Sequence, residues 1–232
     1  MVALLTTPAI QQPSKENCKQ IQILLGVTGS VAAVKAPEIA VNLRRELDAD
    51  VKILLTAGAR NFWDQSAEYN AHWWNELQME LKNDITGEST ARIEVLHSED
   101  EWRSWNRLGD PIMHIELRDW ADCLVVAPLS AHTLSKLANG LCDDALSSVA
   151  RAWDFANQKP MVLAPAMNTY MWEHPLTEKQ LTDVQHFFGA TKVQHCRIVQ
   201  PQVKTLACGQ VGDGALASVS DIVDNVKAIF QK

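Results

Sequence analysis

Ile21-Gln22-Ile23-Leu24-Leu25-Gly26-Val27-Thr28-Gly29-Ser30-Val31-Ala32-Ala33 is the stretch whose reading decides the fold. Its first half is short, aliphatic and nearly continuous in apolar character, and it is closed by Gly26 and Gly29. That pattern suits a strand buried on both faces. The period then changes. Val31, Ala32, Val34, Ile39, Ala40, Leu43 and Leu47 recur at the spacing of one helix face, with Pro37 admissible only near that helix's first turn. Val51-Lys52-Ile53-Leu54-Leu55-Thr56 returns to a strand pattern. Strand, helix and strand in succession make a β-α-β unit, with a parallel pair and a right-handed crossover.

The alternation continues along the chain. Cys123 to Ala127 and Met161 to Ala164 read as apolar strands, each followed by a proline and a polar loop. Thr133 to Ala138, Asp144 to Trp153 and Thr177 to Phe188 read as helices, and Ile198-Val199 as a further strand segment. Ser220 to Phe230 closes the chain as an amphipathic helix with a serine cap. The expected architecture is a single α/β domain over residues 21–232, a doubly wound parallel sheet of the Rossmann-like kind. Residues 1–20, rich in Thr, Pro, Gln and Ser without periodicity, read as a flexible N-terminal extension. Residues 64–97 break the rhythm. Trp73, Trp74, Leu77 and Leu81 form a helical stripe and Asn83 to Thr90 resembles a loop, so a helical insertion is expected, its stripe packed on the parent domain or on a neighbouring subunit.

Composition narrows the partners. The chain has 232 residues, of which 47% are apolar and 21% charged, an ordinary globular mixture with material for a sizeable core. Lys and Arg number 21 against 28 Asp and Glu, a formal charge of −7, so nucleic acids and anionic membranes meet an unfavourable field. The longest charge-free run, Gln20 to Val34, has 15 residues, short of the roughly 20 needed to span a bilayer. No basic segment precedes Lys15, and a cytoplasmic location is expected. The five cysteines are odd in number and contain no C-x-x-C pair, which reads as free thiols.

In doubly wound sheets ligands bind beyond the carboxyl ends of the strands, so the loops there carry the candidates. Gly26 to Ala33 is a glycine turn opening a helix, whose free N–H groups suit a phosphate. It matches neither G-x-G-x-x-G nor a Walker loop, and the second strand ends at neutral Thr56 rather than an acid, which favours a mononucleotide over a dinucleotide. Ala127-Pro128-Leu129-Ser130-Ala131-His132-Thr133 offers a second such start. Ala164 to Trp172 forms the next loop, and Leu206-Ala207-Cys208-Gly209-Gln210-Val211-Gly212-Asp213-Gly214 reads as a glycine-hinged flap around a cysteine. The remaining histidines show no metal spacing, and no metal is expected.

These words resemble those of the flavin-containing cysteine decarboxylases, most closely the branch acting in coenzyme A synthesis. The resemblance rests on Gly29 to Ala33, Glu101 to Asn106, Gly109-Asp110-Pro111, His114 to Arg118, Trp120-Ala121-Asp122, Ala127 to Ala131, Pro165 to Asn168, Met171-Trp172 and Leu206 to Gly209, spread over about residues 21–225. It implies an FMN-dependent carboxy-lyase converting 4′-phospho-N-pantothenoylcysteine to 4′-phosphopantetheine, as a homotrimer with sites between subunits. Direct loss of carbon dioxide from a cysteine-derived carboxylate leaves an unstabilised carbanion. The family first oxidises the thiol to a thioaldehyde, so that the electrons flow into an ene-thiolate, which is then protonated and reduced.

By matched position His114 and Cys208 are implied as catalytic, the first as base or hydrogen-bond partner, the second as proton donor. Asn168, Met171 and Ala207 are implied for the substrate. Gly29, Ser30, Val31, Thr56, Phe62, Ser130, Ala131, His132, Thr133 and Ala166 are implied for FMN. Taken without the resemblance, His114 reads as a surface or capping histidine, Asn168 as a residue bonding its own turn, and Met171 as core. Three positions depart from the family pattern: His132 for Asn, Gln210 for Asp and Leu216 for Met. The alternative readings are a regulatory protein of the same fold that binds and inhibits a phosphatase, and a related flavoprotein acting on peptide cysteines or prenyl groups.

Overall fold

β1 (Gln22–Val27) pairs with β2 (Asp50–Leu55) on one side and β4 (Cys123–Leu129) on the other, every partner parallel. β3 (Ile93–His97), β5 (Met161–Pro165) and β6 (Cys196–Ile198) complete a six-stranded sheet ordered β3-β2-β1-β4-β5-β6. The computed structural model describes residues 20–86, 93–103, 105–154, 159–189, 195–205 and 211–231. The expected N-terminal extension therefore lies, apart from Gln20, outside the described residues.

The sheet separates two apolar layers. On one face Ile23, Leu25, Val27, Ile53 and Val125 pack with α1 (Ala36–Leu47), α4 (Ala71–Thr86) and α10 (Val219–Phe230). On the other, Leu24, Leu54, Leu124 and Leu163 pack with α5 (Met113–Trp120), α6 (Ala131–Asn139), α7 (Ala145–Arg151) and α9 (Pro175–Gly189). All seven residues of β4 are buried, which is why the central strands read as unbroken apolar runs rather than as alternation. Cys123 and Cys196 act as small core hydrophobes, and Cys142 is an exposed thiol. Burial pushes the Cys196 thiol up to about 12 and that of Cys123 in the same direction.

Two expectations are corrected. The helix expected from Val31 is two pieces, a 3₁₀ segment at Val31–Lys35 and then α1, with Pro37 at its first positions. Proline has no N–H to donate, so the α-helical ladder restarts where that loss is harmless. The helical insertion expected over 64–97 ends in β3, an edge strand in register with β2 from Val51↔Ile93 to Leu55↔His97. α2 (Ala57–Trp63), α3 (Ser66–Tyr69) and α4 are thus the crossover between two strands of the sheet. The half-polar sequence of β3 concealed it, since an edge strand has one open flank. The Trp stripe packs on the parent domain: Leu77 is fully buried, Trp73, Trp74 and Leu81 lie against the first layer, and the Trp63 and Trp74 rings meet edge-on at 5.6 Å. Helix α4 runs on to Thr86, so the loop expected from Asn83 begins later, and residues 87–92 lie outside the described residues.

Beyond the sheet, β7 (Gln202–Thr205) and β8 (Val211–Ala215) pair antiparallel. The expected flap is therefore a hairpin at its base, and residues 206–210 between the arms lie outside the described residues.

Candidate active site

β1 leads to β2 on one side, and its other neighbour is β4, so the strand order reverses between β1 and β4. Loops leaving two such strands diverge and open a crevice between them. A cleft of about 640 Å³ lies there, within the range of small-molecule and cofactor sites. Gly29, Ser30 and Val31 line it from the β1 loop, Ser130, Ala131 and His132 from the β4 loop, and Ala166, Asn168 and Met171 from the β5 loop. Phe62, Tyr69 and Leu216 add apolar wall.

The loops are tied to one another by their own chemistry. The buried Thr28 hydroxyl donates to Pro128 O at 2.7 Å and accepts from Ser130 N–H at 2.8 Å. Ser30 and Ser130 cap their helices, their hydroxyls accepting from the N–H groups of Ala32 and Thr133. Gly29 faces Gly58 backbone to backbone: a Cβ on Gly29 would sit 3.2 Å from the Gly58 Cα. The β1 loop and the start of α2 approach this closely only because neither glycine carries a side chain. At the opposite wall Gly214 has φ +104° and leaves no room for a Cβ, which would stand 2.7 Å from Met167 O.

The cleft fits FMN. Its β1 and β4 ends present helix-start N–H groups and serine hydroxyls, the donor set for a phosphate, while Val31, Phe62 and Leu216 offer an apolar surface for a flat ring system. Thr56 and Thr133 are not among the lining residues. The Thr56 hydroxyl donates to Val27 O and accepts from Ala59 N–H, and the Thr133 hydroxyl accepts from Ser130. Both support the loops that line the cleft.

Asn168 and Met171 stand together at one rim. Asn168 caps α8 (Thr169–Trp172), its side-chain oxygen accepting from Tyr170 N–H at 2.9 Å. It bonds its own turn, and it faces the cleft as well. Met171 is half exposed rather than core. Of the departures from the family pattern, His132 is exposed in the cleft and Leu216 is buried in its wall. Ala207, Cys208 and Gln210 lie outside the described residues.

His114 does not line this cleft. It is the second residue of α5, and its Nδ1 contacts Glu101 Oε1. The cap position of α5 is Ile112, so the histidine is not a cap. Between these partners Asp110 accepts from the N–H groups of Asn106 and Arg107, at 2.8 and 2.9 Å, which holds its carboxyl below the usual carboxylate range. Glu101, Thr28 and Gly58 are the residues that sequence reading passed over. Thr28 appeared within the Gly26 to Ala33 turn and Glu101 within the Glu101 to Asn106 word, each without a role attached, and Gly58 left no trace.

The model of the family described as Flavoprotein matches residues 11–231. The chain belongs to that family. This flavoprotein is 38% identical over 221 residues to the phosphopantothenoylcysteine decarboxylase of Mus musculus, covering 95% of this chain and 91% of that protein. It is 39% identical over 210 residues to that of Arabidopsis thaliana, covering 90% and 85%. Among solved structures it resembles a PPC decarboxylase mutant complexed with pantothenoylaminoethenethiol, with a TM-score of 0.74 and 36% identity over 92% of this chain and all of that one. It also resembles the FMN binding protein AtHal3, with a TM-score of 0.71 and 38% identity over 92% and 98%.

Proposed function

We propose that this flavoprotein is an FMN-dependent phosphopantothenoylcysteine decarboxylase, releasing carbon dioxide from 4′-phospho-N-pantothenoylcysteine to give 4′-phosphopantetheine. The observation that carries this reading is the cleft at the strand-order reversal, which joins a phosphate-binding cradle to the Asn168–Met171 rim. The relatives and solved structures similar over nearly the whole chain support it.

Gly29, Ser30, Val31, Phe62, Ser130, Ala131, His132 and Ala166, all on the cleft wall, would hold FMN. The bound flavin supplies the oxidation of the substrate thiol to a thioaldehyde and the later return of hydride. Asn168 holds the substrate carboxylate and Met171 closes over it, and Ala207 also belongs to the substrate-binding set. His114 accepts a proton or a hydrogen bond as the thiol is oxidised. When the carbon–carbon bond breaks, its electron pair passes to sulfur as an ene-thiolate, carbon dioxide leaves, and Cys208 donates a proton. The hairpin that carries Cys208 excludes water at this stage.

The working unit is a homotrimer with sites shared between subunits. Two observations support it: His114 stands outside the cleft of its own chain, and Trp102, Trp105 and Leu108 are exposed on the loop leading to it. Large apolar side chains exposed together mark surfaces that a partner covers. The proposed location is the cytoplasm, checked by cell fractionation.

The test is incubation of purified chain with FMN and 4′-phospho-N-pantothenoylcysteine, followed by mass spectrometry of product and carbon dioxide. Stoichiometric 4′-phosphopantetheine is expected. Folded, flavin-loaded chain that makes none would overturn the reading in favour of a phosphatase-binding regulatory protein.

A further inference from the structure

We infer that Glu101 is the positioning residue of His114: its carboxylate holds the proton of the imidazole on Nδ1 and leaves Nε2 as the atom that works. This deepens the functional reading above and rests on it. Glu101 is 3% exposed, and its Oε1 meets His114 Nδ1, while the histidine side chain retains 21% of its exposure. An ionised carboxylate only accepts hydrogen bonds, so the nitrogen facing it must carry a hydrogen. In the neutral ring that assignment puts the lone pair on Nε2, the nitrogen on the side away from Glu101.

The chain is built to keep the pair together. Glu101 follows the 3₁₀ turn Ser98–Asp100 after β3, and its N–H donates to Ser98 O. Asp110 fixes the return of the loop through the Asn106 and Arg107 N–H groups, just before α5 begins. His114 sits in the first turn of α5, so the start of that helix and the Glu101 carboxylate fix the ring from two sides. A buried carboxylate facing a histidine orients the ring, fixes its tautomer and stabilises its charged form. The partly exposed ring leaves Nε2 as the nitrogen turned away from Glu101.

The deciding experiment is a long-range ¹H–¹⁵N correlation spectrum of the full-length, flavin-loaded chain labelled in histidine nitrogen, with His114 assigned by the loss of its signals in His114→Asn. A protonated Nδ1 and an unprotonated Nε2 are expected. The opposite tautomer in the unaltered protein overturns the inference, whatever any variant does. Glu101→Gln, of nearly the same shape, is expected to mix the two tautomers. It should lower kcat by at least about tenfold, since a carboxylate-to-amide change beside a catalytic histidine costs up to about 10⁴-fold. KM and bound flavin should stay within about threefold, because Glu101 lies outside the cleft. Unchanged kcat with an unchanged tautomer overturns the inference. Full turnover by His114→Asn would overturn the functional reading of the histidine instead, so the two failures are told apart.

Discussion

Thr28 shows how much of the site hangs on one hydroxyl. It joins the β1 and β4 loops by donating to Pro128 O and accepting from Ser130 N–H, inside the protein and away from water. Thr28→Val keeps the shape and strands both backbone partners. The expected cost is about 1–3 kcal/mol of stability, read from urea denaturation, with weaker FMN binding in a fluorescence titration because the start of α6 shifts. The thiols make a second case. Burial holds Cys196 and Cys123 protonated at pH 8, whereas Cys142 is exposed. Among the described cysteines, a thiol reagent at that pH should label Cys142 in the native protein and the other two only after unfolding, as peptide mapping would record. A third case concerns the proposed acid. Cys208→Ser should retain flavin and release carbon dioxide while an oxidised ene-thiol accumulates. Normal 4′-phosphopantetheine yield from that variant, measured by mass spectrometry, would remove the assignment.

At the scale of elements, the decisive fact is that α4 is a crossover. Its Leu77 is fully buried against the layer that contains Ile39 and Leu43 of α1, and Trp74 meets Trp63 from α2. Arg45 of α1 reaches Glu76 and Glu80 of α4 at 2.5 and 2.8 Å along the same seam. Leu77→Ala should therefore destabilise by about 2–5 kcal/mol, like other large core truncations, as a lowered denaturation midpoint. A dispensable insertion would tolerate the change within about 0.5 kcal/mol. The stripe itself was legible in the sequence, because Trp73, Trp74, Leu77 and Leu81 keep helical spacing. Its place was not, because β3 pairs with β2 across more than thirty residues of chain and is only five residues long, too short a run to announce itself.

For the whole molecule, the prediction concerns assembly. If sites are shared between subunits, a chain lacking His114 and a chain lacking Cys208 each supply what the other lacks. Mixing His114→Asn with Cys208→Ser, neither of which makes 4′-phosphopantetheine alone, and unfolding and refolding them together should restore part of the 4′-phosphopantetheine formation, with light scattering reporting a trimer. Recovery limited to buffer-level rates would mean that each chain completes its own site.

The sequence by itself determined the alternation of strand and helix, the phosphate-friendly turns at Gly29 and Ser130 and the Asn168 side chain bonding its own turn. These features are local: period, glycine placement and capping chemistry act within a few residues, and the decarboxylase-like words repeat them. Only the tertiary structure decided that β3 belongs to the sheet, that Gly29 needs Gly58, that Thr28 bridges two loops, and that Glu101 meets His114 away from the cleft. Each of those depends on which distant segments the sheet order brings together. Spacing along the chain carries no record of that, because apolar burial in a sheet is satisfied by several strand orders, and only their packing selects one.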